Sequence, residues 1–277
     1  MTSQNKASRP KALTIAGSDS GGGAGIQADL KTFAAFGVYG TSVITAVTAQ
    51  NTLGVTAIQE IDLAVIAGQI DAVMSDIGAD AVKTGMLSNA EIIVTVAAGI
   101  TRHGIRNLVV DPVMVAASGD RLLREDAVGA LKSLLLPLAL VVTPNVPEAE
   151  VLVDSSLSGI DELRDAARAI AGMGAGNVII KGGHLEGPES PDLLYDGTEF
   201  REFSAPRIDT NNTHGSGCTF SSAIASGLAR GESVGDATAD AKRYVTEAIR
   251  CAYPIGGGHG PLNHFFESDD QSRIRDE

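Results

Sequence analysis

One stretch in the last third of the chain, Asn212 to Thr219, has the composition of an anion-binding loop. Two glycines and small hydroxyl residues run directly into an Ala-rich segment of helical character. Glycine lets an anion approach the backbone closely, and the positive end of a helix dipole attracts it. A kinase could use such a loop to hold the phosphoryl group in transfer, whereas the alternative is an ordinary glycine-rich helix cap. The backbone donors that we predict are those of Gly215, Ser216, Gly217 and Cys218.

Cys218 falls in the first turn of the helix that follows this loop. A helix N-terminus can lower the pKa of a thiol and so favour the thiolate. We therefore predict that Cys218 accepts the proton of a substrate hydroxyl group. The alternative is a small buried side chain with no chemical role, because phosphoryl transfer depends mainly on positioning and charge stabilisation.

Four further residues could form an acidic centre that contacts phosphate. Asn145 and Glu148 lie three residues apart after a predicted strand, so both could reach one cluster of Mg²⁺ and water. A helix cap, with Asn145 as the cap residue and Glu148 at the third helical position, explains the same spacing. Asp111 and Lys181 each end a predicted strand, where open α/β sheets bind ligands. We predict a metal site at Asp111, Asn145 and Glu148, and a phosphate contact at Lys181.

A rival signal lies near the N-terminus, where Gly23 to Ala28 matches G-x-G-x-x-A between a predicted strand and a predicted helix. This pattern opens many dinucleotide-binding units. However, the acidic residue expected about 20 residues later is missing, because the second predicted strand ends at Ala49-Gln50-Asn51. A nicotinamide-dependent oxidoreductase is therefore disfavoured. A P-loop nucleotide site is disfavoured as well, since the G-x-x-x-x-G-K-[ST] pattern is absent.

The overall composition limits the possible partners. The 277 residues carry a formal net charge of -13, which argues against nucleic acid or an anionic membrane surface. No apolar run approaches the roughly 20 residues needed to span a bilayer, and no signal-peptide pattern precedes the first predicted strand. We therefore expect a cytoplasmic protein in which the two cysteines, Cys218 and Cys251, are reduced.

Strand-like and helix-like segments alternate through most of the chain, which is typical of a parallel sheet covered by helices. Apolar residues make up 44% of the chain and aromatic residues only 4%. We therefore expect an aliphatic core in a single large α/β domain over residues 12–267. A glycine-rich loop is predicted from Gly17 to Gly25, and a small β flap from Ser42 to Ala49 paired with Val55 to Glu60. Residues 1–11 are expected to be flexible, and residues 268–277 to form a frayed tail.

Several short motifs occur in a fixed order between Ala12 and Phe266. They are Ala16-Gly17-Ser18-Asp19-Ser20, Gln27-Ala28-Asp29-Leu30-Lys31-Thr32, Val47-Thr48-Ala49-Gln50-Asn51-Thr52, Lys83-Thr84-Gly85-Met86-Leu87, Asp111-Pro112-Val113-Met114, Thr143-Pro144-Asn145-Val146-Pro147-Glu148-Ala149-Glu150 and Lys181-Gly182-Gly183-His184. In this order they resemble the hydroxymethylpyrimidine/phosphomethylpyrimidine kinases of thiamine biosynthesis, a family within the ribokinase superfamily. The resemblance implies a ribokinase-like three-layer α/β/α sandwich with a central, mostly parallel sheet.

The resemblance also implies an activity and an assembly. A kinase of this kind would be a homodimer that uses ATP and Mg²⁺. It would phosphorylate 4-amino-5-hydroxymethyl-2-methylpyrimidine and then the resulting monophosphate, giving the diphosphate. Nucleotide contacts are assigned by this comparison to Asn145, Lys181 and Thr213.

The same resemblance assigns the substrate pocket. A carboxamide can donate to one ring position and accept from its neighbour, so Gln50 is expected at the polar edge of the pyrimidine. A flexible thioether can cover an aromatic face, which suits Met86, although plain core filling is the alternative. For Asp29 the alternative is a carboxylate on a helix surface. The residues expected around the ring are Gly17, Asp29, Thr48 and Met86.

The anion-hole loop separates this branch from its relatives. Most of the superfamily has an aspartate base in that loop, whereas this kinase branch has a cysteine, which matches Cys218. Ser216 stands where many relatives have Thr, and the change keeps a small hydroxyl. Two alternatives stay open: a pyridoxal kinase of the same superfamily, and a pyrimidine-sensing domain that lacks the chemistry.

Overall fold

A central sheet organises the computed structural model, which describes residues 9–114, 124–184 and 187–267. Nine strands form this sheet within the described ranges. They are β1 (Lys11–Asp19), β2 (Tyr39–Asn51), β3 (Gly54–Glu60), β4 (Ala81–Thr84), β5 (Leu108–Val110), β6 (Val141–Val142), β7 (Asn177–Lys181), β8 (Asp192–Tyr195) and β9 (Phe200–Phe203). Their order is β3-β2-β1-β4-β5-β6-β7-β8-β9. Six neighbouring strands run parallel: β2, β1, β4, β5, β6 and β7. The other three, β3, β8 and β9, pair antiparallel with their neighbours.

Helices cover both faces of the sheet. They are α1 (Gly25–Ala35), α2 (Leu63–Asp76), α3 (Ala90–Arg102), α4 (Glu125–Ala130), α5 (Val146–Val153), α6 (Ile160–Gly172), α7 (Ser216–Ala229) and α8 (Val234–Arg250). One apolar core lies between the sheet and α2 to α6, and a second lies between the sheet and α1, α7 and α8. The predicted three-layer α/β/α sandwich is therefore confirmed.

The alternation of side chains along each strand explains the two cores. Val110 and Leu108 face the first core, while Val109 between them faces the second, and all three are fully buried. Strands that are buried on both faces have nearly continuous apolar sequences, which is typical of parallel sheets. Helices α2 and α3 begin where the side chains of Asp62 and Asn89 accept hydrogen bonds from backbone N–H groups of the first turn.

The β flap is present, since β2 and β3 form an antiparallel pair around the predicted turn. Other boundaries differ from the sequence expectation. Strand β1 continues to Asp19 and so takes the first part of the predicted glycine-rich loop. Helix α4 is followed at Leu131 by a π-helical turn, just before Pro137 interrupts the backbone hydrogen bonds.

The expected termini can be compared with the structure only in part. Residues 1–8 and 268–277 lie outside the described residues, so the flexible N-terminus and the frayed tail stay predictions there. Lys11, which the sequence placed in the flexible segment, already belongs to β1, where its backbone N–H donates to Asp80. Among the described residues, no helix combines the length and apolar character that a membrane crossing requires.

Candidate active site

A cavity of about 710 Å³ opens at the carboxyl ends of the parallel strands. This is the edge at which open α/β sheets bind their ligands. With the exception of Asp29, all of the predicted site residues line this cavity: Gly17, Thr48, Gln50, Met86, Asp111, Asn145, Glu148, Lys181, Thr213, Gly215, Ser216, Gly217 and Cys218. The fold therefore brings residues that are distant in the sequence together around one cavity.

The predicted anion hole forms the N-terminus of α7. Gly215 precedes the helix with φ 82°, a left-handed conformation that favours glycine. A Cβ atom at this position would also collide with the carbonyl oxygen of Gly23. The N–H of Ser216 donates to the Thr213 carbonyl at 3.1 Å, which differs from the expectation that it faces the anion. Gly217 and Cys218 follow in the first helical turn, where N–H groups have no preceding helical carbonyl to bond.

The pKa of the Cys218 thiol differs from the value expected at a helix N-terminus. Burial raises the pKa of Cys218 to about 11, and the carboxylates of Asp29 and Asp111 add to this effect. The Lys83 ammonium and a hydrogen bond from the backbone of Gly25 act in the opposite direction but are outweighed. The predicted lowering of the pKa by the helix dipole is therefore wrong for the ligand-free protein, because the loss of water around the sulfur dominates.

A buried cation lies between two carboxylates beside the anion hole. The Lys181 Nζ atom is 3.1 Å from Asp111 Oδ1 and 4.0 Å from Glu148 Oε2. Burial alone would lower the pKa of Lys181, but Asp111 and Glu148 outweigh it and raise the pKa, so the side chain stays an ammonium. A Cβ atom built on Gly217 would lie 3.2 Å from this ammonium, which places its charge at the mouth of the anion hole.

Asn145 and Glu148 form a capping box at the start of α5. The Asn145 side chain accepts from the Glu148 N–H, and the Glu148 side chain accepts from the Asn145 N–H, each at 2.8 Å. The helix cap that competed with the metal site is therefore present, and it occupies the Asn145 amide oxygen. Helix α5 is the helix that this capping alternative requires. Direct metal contact by Asn145 finds no support in this geometry, whereas Glu148 and Asp111 both still face the cavity.

Glu148 should make the stability of the ligand-free protein depend on pH. Burial raises its pKa to about 7, with the Lys181 ammonium lowering it and Asp111 raising it. The folded protein therefore binds a proton that the unfolded chain releases near the ordinary glutamate pKa of 4.5, so the free energy of unfolding falls as the pH rises from 4.5 to 7. We expect Glu148→Gln, which keeps a cap acceptor, to stabilise the protein by about 3 kcal/mol at pH 8 and by almost nothing at pH 4.5.

Urea unfolding of wild type and Glu148→Gln at the two pH values would test this expectation. The matched control is Glu162→Gln, which changes an exposed carboxylate of α6. An equal stability difference at both pH values would show that Glu148 is already ionised at pH 4.5 in the folded protein.

The residues expected around an aromatic ring line the same cavity, with the exception of Asp29. A Cβ atom at Gly17 would lie 2.5 Å from the Met86 Cε atom, so glycine is required for the thioether to lie where it does. Met86 is largely buried but borders the cavity, and the Thr48 hydroxyl donates to the Ser18 carbonyl at 2.8 Å. Gln50 follows at the end of β2 with its carboxamide next to Thr48.

Asp29 does not line the cavity. It is completely buried, with Lys83 Nζ 2.9 and 3.0 Å from its two carboxylate oxygens. The hydroxyls of Thr14 and Ser222 donate to the same carboxylate at 2.6 and 2.7 Å. The prediction that Asp29 contacts the substrate is corrected here, and so is the alternative of a surface carboxylate. Both carboxylate oxygens are bonded to groups inside the protein. The sequence pattern of α1 could not predict these partners, because they lie on other elements.

One pair in the site, formed by Asp19 and His214, was not predicted from the sequence. His214 Nε2 lies 2.9 Å from Asp19 Oδ2, although 195 positions separate the two residues. Asp19 also accepts from the N–H groups of Gly21, Gly23 and Ala24. The donors of the G-x-G-x-x-A segment therefore bind this carboxylate, which is a physical reason for rejecting the dinucleotide-binding alternative. Both residues stand in motifs singled out above, but no local pattern pairs them.

Comparison with known proteins identifies the family. The family model described as phosphomethylpyrimidine kinase matches residues 19–263. The chain belongs to this family. As a member of the phosphomethylpyrimidine kinase family it is an ATP-using kinase, and the resemblance inferred from the ordered motifs is confirmed.

Curated relatives agree with this assignment. A hydroxymethylpyrimidine/phosphomethylpyrimidine kinase of Rhizobium meliloti is 55% identical over 92% of this chain and 96% of its own length. The enzyme of the same name from Bacillus subtilis is 52% identical over 92% of this chain and 94% of its own. A thiamine biosynthesis bifunctional protein of Geobacter sulfurreducens is 55% identical, but this chain spans only 54% of that longer relative.

Solved structures extend the comparison to two related activities. The ADP complex of Bacillus subtilis pyridoxal kinase has a TM-score of 0.87 and 41% identity, with 93% of this chain and 98% of that chain covered. The phosphomethylpyrimidine kinase of Clostridium difficile has a TM-score of 0.78 and 45% identity, with 87% and 100% covered. These kinase structures confirm the ribokinase-like fold expected from the sequence.

Proposed function

We propose that this kinase phosphorylates 4-amino-5-hydroxymethyl-2-methylpyrimidine with ATP and then phosphorylates the monophosphate to the diphosphate. The observation that carries the proposal is one cavity that is lined both by a carboxamide, Gln50, and by the anion hole with Cys218. A ring held by Gln50 would present its hydroxymethyl group towards the anion hole. Relatives that are 50–55% identical and carry the names of both activities support the same substrate.

The side chains around the anion hole suit phosphoryl transfer. The Lys181 ammonium and the N–H groups at the start of α7 would stabilise negative charge on the transferred group. Two carboxylates, Asp111 and Glu148, suit Mg²⁺, which takes few protein carboxylates and keeps several waters. When bound there, Mg²⁺ would neutralise charge on the ATP phosphates. Thr213 and Asn145 also line the cavity, and we propose them as nucleotide contacts.

The two phosphorylations make different demands on Cys218. In the first, the hydroxymethyl oxygen attacks the γ-phosphorus and loses its proton, which the Cys218 thiolate can accept. In the second, the attacking oxygen belongs to a phosphate monoester that is already largely ionised near neutral pH, since its second pKa is about 6. We therefore assign Cys218 as the base of the first step only.

A pyridoxal kinase activity is the second candidate. The observation that favours it is the TM-score of 0.87 to pyridoxal kinases of Bacillus subtilis and Staphylococcus aureus, against 0.78 to the phosphomethylpyrimidine kinase of Clostridium difficile. Pyridoxal is also a heteroaromatic hydroxymethyl compound. A pyrimidine-sensing domain is disfavoured, because Cys218, Lys181 and the two carboxylates stand together in one cavity.

Replacing Gln50 with alanine should separate these candidates. We expect kcat/KM for hydroxymethylpyrimidine to fall about 10- to 100-fold, because the polar edge of the ring loses its hydrogen-bond partner. The measurement is ADP release with Mg-ATP and either hydroxymethylpyrimidine or pyridoxal. Gln59→Ala, which removes an exposed glutamine of β3, is the matched control.

Three outcomes would be informative. Pyrimidine turnover that is lost only in Gln50→Ala supports the substrate and its pocket together. Turnover of pyridoxal alone would move the protein to the vitamin B6 branch, and turnover of neither compound would favour the sensor.

We further propose that the kinase is a cytoplasmic homodimer in which residues 12–267 form one domain. Support for the dimer comes from three partly exposed apolar side chains of the β2–β3 hairpin: Val47, Leu53 and Ile58. Val47 and Ile58 lie on opposite faces of the hairpin, because Val47 pairs with Gln59 and Ile58 pairs with Thr48. A partner chain would therefore contact both faces of the hairpin. Sedimentation velocity would test the dimer, and a monomer at enzyme concentrations used for assay would exclude it.

A further inference from the structure

The Asp19 carboxylate determines where His214 carries a hydrogen. Asp19 is 3% exposed and lies 2.9 Å from His214 Nε2. Burial alone would raise the pKa of Asp19, but the hydrogen bonds from His214, Ala24 and Gly21 outweigh it and the pKa is lowered. An ionised carboxylate can only accept hydrogen bonds. The Nε2 atom of His214 must therefore be the protonated ring nitrogen in this contact.

The Ser18 carbonyl determines the direction of the Thr48 hydroxyl. Thr48 Oγ1 lies 2.8 Å from Ser18 O and 3.1 Å from Gln50 Oε1. A hydroxyl has one hydrogen, and a carbonyl oxygen can only accept. The hydrogen of Thr48 therefore points at Ser18, and Thr48 presents a lone pair to Gln50.

These two contacts decide the orientation of the Gln50 carboxamide between them. With the amide nitrogen towards His214, at 3.5 Å from Nε2, two N–H donors face each other, and two acceptors face each other at Thr48. The oxygen and nitrogen of a carboxamide differ little in shape, so hydrogen-bond partners decide which is which. The reverse orientation is favoured at both ends: the Gln50 NH₂ group donates to the Thr48 lone pair, and the Gln50 oxygen shares the Nε2 hydrogen that His214 donates mainly to Asp19.

We propose that His214 is a specificity-determining positioning residue, which locks the Gln50 carboxamide so that its oxygen lies on the His214 side. The inference rests on the proposed contact between Gln50 and the substrate ring. The locked amide offers an acceptor beside His214 and a donor beside Thr48. It therefore selects a heteroaromatic edge with an exocyclic amino group next to an unprotonated ring nitrogen, as in a 4-aminopyrimidine.

The surroundings of His214 keep its ring in place. The residue is 8% exposed, and its backbone N–H donates to the Gly260 carbonyl at 3.0 Å. Its ring packs so closely on Gly23 that a Cβ atom there would collide with it. A ring held from both sides can impose a direction on the more exposed carboxamide of Gln50.

The test compares two ligands with opposite hydrogen-bond patterns. These are 4-amino-5-hydroxymethyl-2-methylpyrimidine and its 4-oxo counterpart, whose ring N–H and carbonyl exchange donor and acceptor. We expect the wild type to bind the amino compound roughly 100-fold more tightly. His214→Met should narrow this ratio about tenfold, since the amide can then turn. Gln50→Ala should abolish it.

His103→Met is the matched control. His103 follows α3 and contacts an aspartate of α2, Asp71, at 2.7 Å, and it does not line the cavity. An unchanged amino-to-oxo ratio in His214→Met, with both ligands weakened equally, would overturn the lock and leave a merely structural role. If His214→Met does not fold, Thr48→Val removes the lone pair at the other end of the amide and should narrow the ratio in the same way.

A second measurement does not depend on the substrate. The ¹⁵N shifts of the His214 ring in the ligand-free protein should show the hydrogen on Nε2, and a hydrogen on Nδ1 alone would overturn the proposal. A wild type that shows the Nε2 hydrogen but binds neither pyrimidine would instead refute the proposed function and the specificity that rests on it. The hydrogen bond from His214 to Asp19 would still stand.

Discussion

Replacing Cys218 with alanine is expected to lower the rate of the first phosphorylation about 100-fold or more, the usual contribution of a general base. The second phosphorylation should fall only a few-fold, because the monophosphate oxygen needs no base near neutral pH. Rapid-quench measurement of each step, started separately from the alcohol and from its monophosphate, would give the two rates. Cys251→Ala, which removes the exposed second cysteine, is the control.

The raised pKa of Cys218 adds a dependence on pH. The thiol has a pKa of about 11 in the ligand-free protein. At any pH below this value, raising the pH by one unit increases the thiolate fraction about tenfold. The kcat/KM of the first step should therefore climb with pH above neutrality, and the climb should disappear in Cys218→Ala. Equal losses in both steps, or a pH profile that the substitution leaves unchanged, would remove Cys218 from the role of base.

Replacing Lys83 with methionine is expected to destabilise the protein by about 3–5 kcal/mol, the usual cost of leaving one buried charge unpaired. Both partners of the Lys83–Asp29 pair are fully buried, at 2.9 Å. Burial alone would lower the pKa of Lys83, but Asp29 outweighs it and raises the pKa, so the lysine is charged. In Lys83→Met the Asp29 carboxylate keeps the hydroxyls of Thr14 and Ser222 but loses its cation.

Guanidinium unfolding of the single and double variants would measure this effect. Lys83→Met with Asp29→Asn, which removes both charges, should recover part of the lost stability, because neither charge is then left unpaired. Lys132→Met, on the π-helical turn after α4, is the matched control. A loss below about 1 kcal/mol in Lys83→Met, the usual value of an exposed pair, would contradict the buried placement.

The same variants separate two roles for Asp29. The carboxylate joins β1, α1, β4 and α7 through Thr14, Lys83 and Ser222. It therefore anchors the helix whose N-terminus forms the anion hole. Asp29→Asn should lower stability while leaving hydroxymethylpyrimidine affinity nearly unchanged, whereas a direct substrate contact would give the opposite result.

The alternation of short apolar runs with helical segments was enough to predict the layered sheet from the sequence. Local chemistry was enough for the loop before α7 and for the polar residues at strand ends, because strand carboxyl ends meet at one edge whatever the rest of the chain does. Thirteen of the predicted site residues line one cavity, but Gly17, Thr48, Gln50, Met86 and Thr213 among them were expected from the family resemblance and not from local chemistry. The capping box of Asn145 and Glu148 was visible too, since its partners are three residues apart.

Only the tertiary structure decided the pairs that join distant segments and the charges that burial changes. Asp19 meets His214 across 195 positions, and Asp29 meets Lys83 across 54. No local periodicity encodes such contacts, because they depend on which elements the sheet order brings together. The Cys218 thiol shows the same limit: its sequence position at a helix N-terminus favours a thiolate, but the water excluded by the surrounding fold raises its pKa.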